Sequence, residues 1–235
     1  MLGPYGALIA TAHRGPLLES WLTGIAAHVA SPAARVLTAR RHRVVVLSPP
    51  AGAAPGELAV KAFAPAGIIA RLRGGKARRT WHAAVYLHER GIGTPPPVAC
   101  LERPRGSRLA ESYFVSEFLP GRSSFKDELI RLFREEPACE RFMALLEAVA
   151  AAVRRMHDAG FQHNDLGNQN ILLRREAGGG WTDVAFVDLN RARLRGRPLS
   201  ARERGRDLSR IHLPSDLRRV FLEMGFEEIV SPWVE

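Results

Sequence analysis

The chain has 235 residues, 46% of them apolar, and a formal net charge of +10. It is long enough for one large domain or for two lobes around a cleft. It holds no apolar run near the roughly 20 residues of a membrane span. The start, MLGPYGALIATAHRG, lacks the basic-then-apolar pattern of a signal peptide, so the expected location is cytoplasmic. The basic balance favours anionic partners such as acidic headgroups or phosphorylated sugars. Aromatic residues are 7% of the chain and no nucleic-acid motif occurs, so nucleic acid is not an expected partner. Only Lys61, Lys76 and Lys126 are lysines among 34 basic residues, and a compact point charge is not interchangeable with a guanidinium. Cys100 and Cys139 have no metal-ligand spacing and are expected to be buried fillers.

In chain order, Arg35 to Phe63 reads as two antiparallel strands, RVLTARRHRVVVL and ELAVKAF, joined by the Pro/Gly-rich SPPAGAAPG. A basic, glycine-broken stretch follows. ARRTWHAAVYLHERG then has helical spacing, with Trp81, Val85 and His88 on one face and Gly91 as the stop. IGTPPPVACLE is extended and leads into a strand, and SYFVSEFLPG is a strand ending in a Pro-Gly turn. After Gly121 the character turns helical. SFKDELIRLFREE opens on Ser124 and Asp127 as a capping box, and ACERFMALLEAVAAAVRRMHDAG is a long helix stopped by Gly160. GFQHNDLGNQNILL then carries a dense group of polar side chains into a strand. The turn AGGG, the strand WTDVAFVDLN and a helical tail complete the chain. The expected architecture is α+β, with a strand-rich N-terminal lobe of about 1–116, a connector at 117–121 and a helix-rich C-terminal lobe of about 122–235.

Four residues form a chemical set. Lys61 sits inside the apolar strand LAVKAF, where a buried ammonium needs an anionic partner. Asp165 lies in the loop after the long helix, Asn170 follows at the spacing D-x-x-x-x-N, and Asp188 ends the next strand. Asn170 and Asp188 offer hard oxygen atoms suited to Mg²⁺. Asp165 can take a proton from an acceptor hydroxyl, and Lys61 can meet phosphate oxygens. Phosphoryl transfer needs this combination of positioning and charge neutralisation and little covalent work from the protein. His163 is expected to brace the loop through hydrogen bonds rather than to do chemistry.

HNDLGNQN with VDLN resembles the catalytic loop and metal-binding segment of the protein-kinase-like two-lobe fold, and AVK resembles its third-strand lysine motif. The resemblance implies ATP and Mg²⁺. SEFLPG resembles the hinge between the lobes, which implies that backbone groups of Glu117 and Leu119 bind adenine and that Ser116 is the gatekeeper.

The departures from protein kinases narrow the reading. HVASPAARVLTARRH, where a Gly-rich phosphate loop is expected, has no glycine. Asn164 stands where regulated protein kinases carry Arg, and Gly167 stands where they carry Lys. Only 47 residues follow Asp188, too few for an activation segment and a peptide platform. From Gly74 to His88 no acid is available to pair with Lys61; Glu89, Glu57 and Glu102 are the candidates, and a missing pair is the remaining alternative.

The chain is more similar to the lipopolysaccharide kinase family. The similar segments are KARRTWHAAVYLHERGIGTPPPVA, ESYFVSEFLPG, MHDAGFQHNDLGNQNILL, FVDLNRARLRG and RDLSRI. That similarity implies an ATP-dependent phosphotransferase acting on a Kdo- or heptose-type sugar of lipopolysaccharide core. It also implies an anionic glycolipid acceptor and peripheral contact with the inner membrane. Two basic clusters suit such a surface: Arg71, Arg73, Lys76, Arg78 and Arg79, and then Arg191, Arg193, Arg195 and Arg197. The alternatives are a Ser/Thr protein kinase, another small-molecule kinase, and a pseudokinase binding module.

Overall fold

The structure is a computed structural model that describes residues 1–39, 42–68, 75–135 and 139–230. The chain divides into two compact units, Met1–Val85 with Pro95–Leu119, and Tyr86–Thr94 with Pro120–Glu235.

In the first unit, β1 (Gly6–Ile9) is followed by α1 (Pro16–Thr23) and α2 (Ile25–Ala30). Then come β2 (Arg35–Ala39), β3 (Arg43–Leu47), β4 (Leu58–Ala62), α3 (Lys76–His88), β5 (Pro97–Arg105) and β6 (Arg108–Glu117). The strands form one antiparallel sheet in the order β1-β5-β6-β4-β3-β2. Where the sequence suggests one strand over RVLTARRHRVVVL there are two, β2 and β3, which pair with each other as a hairpin. The β-branched run Val44 to Val46 forms the inner of these strands. Residues 40–41 lie outside the described residues.

Alternation along each strand sorts side chains to two faces. Val45, Leu47, Leu58, Val60, Tyr113 and Val115 lie on the face that packs against Leu18, Leu22, Ile25 and Val29 of α1 and α2. Neither helix was anticipated from the sequence. The opposite face carries Phe63, Cys100 and Phe114, packed against Ala77, Trp81 and Val85 of α3. Lys61, one residue on from Val60 and paired with Phe114, falls on this second face by strand parity. The buried helix face is Ala77, Trp81 and Ala84, whereas His88 is exposed at the end of the last turn rather than sharing the face of Trp81.

The second unit contains β7 (Arg122–Ser124), α4 (Phe125–Glu135), α5 (Cys139–Asp158), β8 (Phe161–Gln162), β9 (Ile171–Arg175), β10 (Trp181–Phe186) and β11 (Arg193–Leu194). It ends with α6 (Ala201–Leu208), α7 (Ser215–Glu223) and α8 (Glu227–Val230). The strands form a sheet β10-β9-β7 and a separate pair β11-β8. Ser124 accepts from the Asp127 N–H at 3.1 Å and caps α4 as its sequence suggests. Glu128 is buried and takes bonds from Ser123 (2.6 Å), Arg131 (2.8 Å) and the Trp181 indole (2.8 Å). Burial alone would raise its pKa, but these donors outweigh it and the carboxyl is held below its ordinary value.

Residues 86–94 belong with the second unit although an N-terminal lobe of about 1–116 is the simpler sequence reading. Hydrogen bonds explain the assignment. The Tyr86 hydroxyl donates to Ala159 O at 2.6 Å, the Phe186 N–H to Gly93 O at 2.9 Å, and the Thr94 hydroxyl to Phe186 O at 3.0 Å. Gly93 runs so close to β10 that any Cβ would collide with the Val184 carbonyl.

Among the described residues, no helix is long and apolar enough to cross a membrane. Cys100 is buried, and burial pushes its thiol pKa up; the Cys139 side chain lies outside the described residues.

Candidate active site

In the second unit, the loop between β8 and β9 and the turn after β10 bring the acidic and amide residues together. β9 and β10 are antiparallel, with Ile171 opposite Phe186, so Asn170 and Val187 meet at one end of the pair. The Val187 N–H donates to Asn170 O at 3.0 Å. Asn170 is buried, and its amide nitrogen donates to the main-chain oxygen of Asp165 at 2.8 Å. That bond assigns the nitrogen and leaves the amide oxygen as the atom that could serve as a ligand. Asp188 is left-handed, at φ 61° and ψ 48°, an uncommon conformation for a residue with a side chain. Its carboxylate accepts a bond from the Asn190 side chain.

Among the described residues, no group of three or more His, Cys, Asp or Glu side chains forms a metal cage. The available donors are one amide and one carboxylate. This set fits Mg²⁺, which keeps several waters and takes most of its remaining ligands from substrate phosphates.

The loop itself hangs from Asp207 of α6. The Asp207 carboxylate is 1% exposed and accepts three bonds: from the His163 N–H (2.8 Å), the Asn164 N–H (2.7 Å) and His157 Nε2 (3.1 Å). A buried carboxylate that satisfied can fix a loop that has little regular structure of its own. His163 is fully buried. Its Nε2 donates to Val187 O at 3.0 Å and its Nδ1 accepts from the Asp165 N–H at 3.3 Å. One ring thus ties the residue before Asp188 to Asp165. Burial, opposed by the Asp207 charge, holds this imidazole below its ordinary pKa, and the neutral ring is the form that donates at one nitrogen and accepts at the other.

Asp207 and His157 were not singled out as site residues from sequence. Both sit in segments, RDLSRI and MHDAGF, that carry the family resemblance, but only the fold shows that residues 44 and 50 positions apart share one carboxylate.

Asn164, where protein kinases carry Arg, also has a left-handed backbone, at φ 61°. Its amide nitrogen donates to Gln162 O at 3.3 Å and Arg191 O at 3.2 Å, joining the catalytic loop to the turn after Asp188. Arg191 in turn places Nη1 3.5 Å from Asp165 Oδ2. The four arginines after Asp188 therefore do not form one open basic face. Arg195 and Arg197 both pair with Glu203, at 3.1 and 2.9 Å. The Ser200 N–H and Arg197 hold the Glu203 pKa down to about 2. Arg193 is exposed with no carboxylate partner among the described residues.

In the first unit, Lys61 lies on the α3 face of the sheet with Nζ 5.4 Å from the centre of the Phe63 ring. The three candidate acids are placed as follows. Glu57 pairs with Arg35 at 2.8 Å. Glu89 lies in the 86–94 segment of the second unit. Glu102 is buried on the sheet face that carries Lys61 and accepts from the Gly75 N–H at 2.9 Å and Arg78 Nε at 3.2 Å. The first turn of α3 contains no acid of its own, so Glu102 supplies the negative charge that the helix N-terminus attracts. A Cβ at Gly75 would fall 2.6 Å from this carboxylate oxygen and 2.5 Å from the Leu109 side chain, so any larger residue there would displace both side-chain ends. Of the first basic cluster, Arg71 and Arg73 lie outside the described residues.

Glu117 ends β6, beside the buried Ser116. Its N–H donates to Pro96 O at 2.9 Å. Proline has no N–H to return the bond, so the Glu117 carbonyl has no strand partner on that side. The Phe118 N–H donates to Glu57 O at 2.9 Å, and Leu119 is the last residue of the unit.

A family model described as the lipopolysaccharide kinase (Kdo/WaaP) family matches residues 68–227. The lipopolysaccharide core heptose(I) kinase WaaP of Pseudomonas aeruginosa is 34% identical over 122 residues, 51% of this chain and 45% of that protein. The 3-deoxy-D-manno-octulosonic acid kinase of Vibrio cholerae is 28% identical over 88 residues, 37% of this chain and 34% of that protein. The chain thus spans less than half the length of these curated relatives. Among solved structures, a WaaP in complex with acyl carrier protein matches with a TM-score of 0.65 and 25% identity, over 94% of this chain and 89% of that one.

Proposed function

This chain belongs to the lipopolysaccharide kinase (Kdo/WaaP) family, and on that premise we propose that it transfers the γ-phosphoryl group of ATP to a sugar hydroxyl of lipopolysaccharide core. The acceptor is of Kdo or heptose type. The observation that carries the reading is the arrangement of Asp165, Asn170 and Asp188 around one loop and one strand pair, with the Asn170 amide nitrogen bonded to Asp165 O at 2.8 Å.

Asp165 is the base. It holds the acceptor hydroxyl and takes its proton as the acceptor oxygen forms its bond to γ-phosphorus and the bond from γ-phosphorus to the ADP oxygen breaks. Asn170 and Asp188 hold Mg²⁺, which neutralises phosphate charge when bound. Lys61 pairs with phosphate oxygens. The Glu117 carbonyl accepts from the adenine amino group and the Leu119 N–H donates to the ring. His163 and Asp207 keep the loop in place. The acceptor lipid is reached at the cytoplasmic face of the inner membrane by peripheral contact. Exposed basic residues such as Arg193 support that contact, each worth about 1 kcal/mol near an anionic surface.

The test is transfer of labelled phosphate from ATP to a panel of lipopolysaccharide-core acceptors, compared with Asp165→Ala. The variant is expected to lose about 100- to 10,000-fold in rate. Transfer undiminished in Asp165→Ala removes the assignment of the base. Phosphorylation of peptides without any sugar transfer replaces the acceptor class.

A further inference from the structure

We propose that Arg191 contacts the transferring phosphoryl group and supplies the cation that position 167 lacks; this rests on the kinase reading above. Gly167 lies two residues after the base, where protein kinases carry a Lys. No side chain can take that role at Gly167. The charge comes instead from the other side of the site. Arg191 Nη1 is 3.5 Å from Asp165 Oδ2.

Three features suit this role. The Arg191 backbone is fixed: its carbonyl accepts from Asn164 Nδ2 at 3.2 Å, and Asn164 is itself held by Asp207 at 2.7 Å. The guanidinium is 55% exposed, and its other donors have no protein partner among the described residues, so they remain for a ligand. Arg191 also closes the short 3₁₀ turn that Asp188 opens, so one turn joins the metal-ligand carboxylate to the guanidinium that pairs with the base. A planar guanidinium can span a carboxylate and a phosphoryl oxygen together, which a single ammonium does less well. Charge that builds on the equatorial oxygens during transfer would be met by a group already in place.

The decisive measurement is binding of ADP with Mg²⁺, with and without fluoroaluminate as the phosphoryl mimic, in the absence of acceptor. The wild-type protein is expected to bind the fluoroaluminate state far more tightly than ADP alone. Arg191→Ala should keep ADP affinity and thermal stability while losing most of that gain. Its kcat should fall by about 10²–10³-fold, with Arg191→Lys recovering part of it. Equal fluoroaluminate affinity in wild type and Arg191→Ala overturns the proposal and leaves the kinase reading standing. A variant that changes only the KM of the acceptor also overturns it, and moves Arg191 to the acceptor's anionic group. No nucleotide binding by the wild-type protein overturns both readings.

Discussion

Lys61 lies in an apolar strand and Asp165 in a polar loop, and the two units hold them by different means. In the second unit the loop that carries Asp165 is tied by hydrogen bonds that converge on one buried carboxylate, Asp207, and on one neutral ring, His163. In the first unit Lys61 is placed by strand register and by the packing of α3 on Phe63 and Cys100, while the nearby buried acid, Glu102, is spent on the start of the helix. A loop without regular pairing needs specific polar anchors. A residue inside a five-residue strand has its direction set by the pleat.

This contrast can be broken by substitution. Trp81→Ala should be the most damaging change to the first unit, costing about 3–5 kcal/mol, because it removes the largest apolar group between α3 and the sheet. Urea denaturation measures it. A loss below about 1 kcal/mol would mean that packing does not position the Lys61 face. Asp207→Ala should cost roughly 3 kcal/mol or more, since it leaves three buried donors without their acceptor at about 1–3 kcal/mol each. It should also abolish phosphoryl transfer, and retained transfer would show that the loop has another anchor.

Glu102→Ala should cost less, about 1–3 kcal/mol, for the orphaned Gly75 N–H. If Glu102 acts only on the helix, nucleotide affinity should fall no more than stability explains; a separate large loss of ATP affinity would give it a direct part at Lys61. The smallest effect expected is that of pH. Burial disfavours the charged His163 ring in the folded chain, whereas the unfolded chain takes up a proton near pH 6.5. The His163 contribution is therefore complete above about pH 6.5 and is lost as pH falls below it. Denaturation midpoints between pH 8 and 5 should show this decline, and His163→Asn should flatten it. Glu203, held down to about 2, titrates well below that range.

Much of the candidate site was legible in the sequence because its arrangement is carried by short local spacings. Asp165 and Asn170 are five residues apart, and Asp188 follows a single strand turn, so sequence distance nearly fixes spatial distance. Gly91, Gly121 and Gly160 marked element ends because each has positive φ. The sequence was less informative wherever function depended on long-range contact. The β2–β3 pair reads as one strand because the sequence between the two, basic and free of Gly or Asn, carries no turn signal. The basic cluster after Asp188 looked like a single charged face because Glu203, Asp165 and Asn164 come from elsewhere in the chain.

By itself, the sequence determined the chemical types, the order of the candidate site's side chains and the α+β class, since these follow from residue identity, periodicity and short spacing. The tertiary structure alone decided which carboxylate holds the loop, which acid caps α3 and which arginine reaches the base. Each of those pairings joins residues 24 or more positions apart, and no local pattern encodes which distant partner closes it.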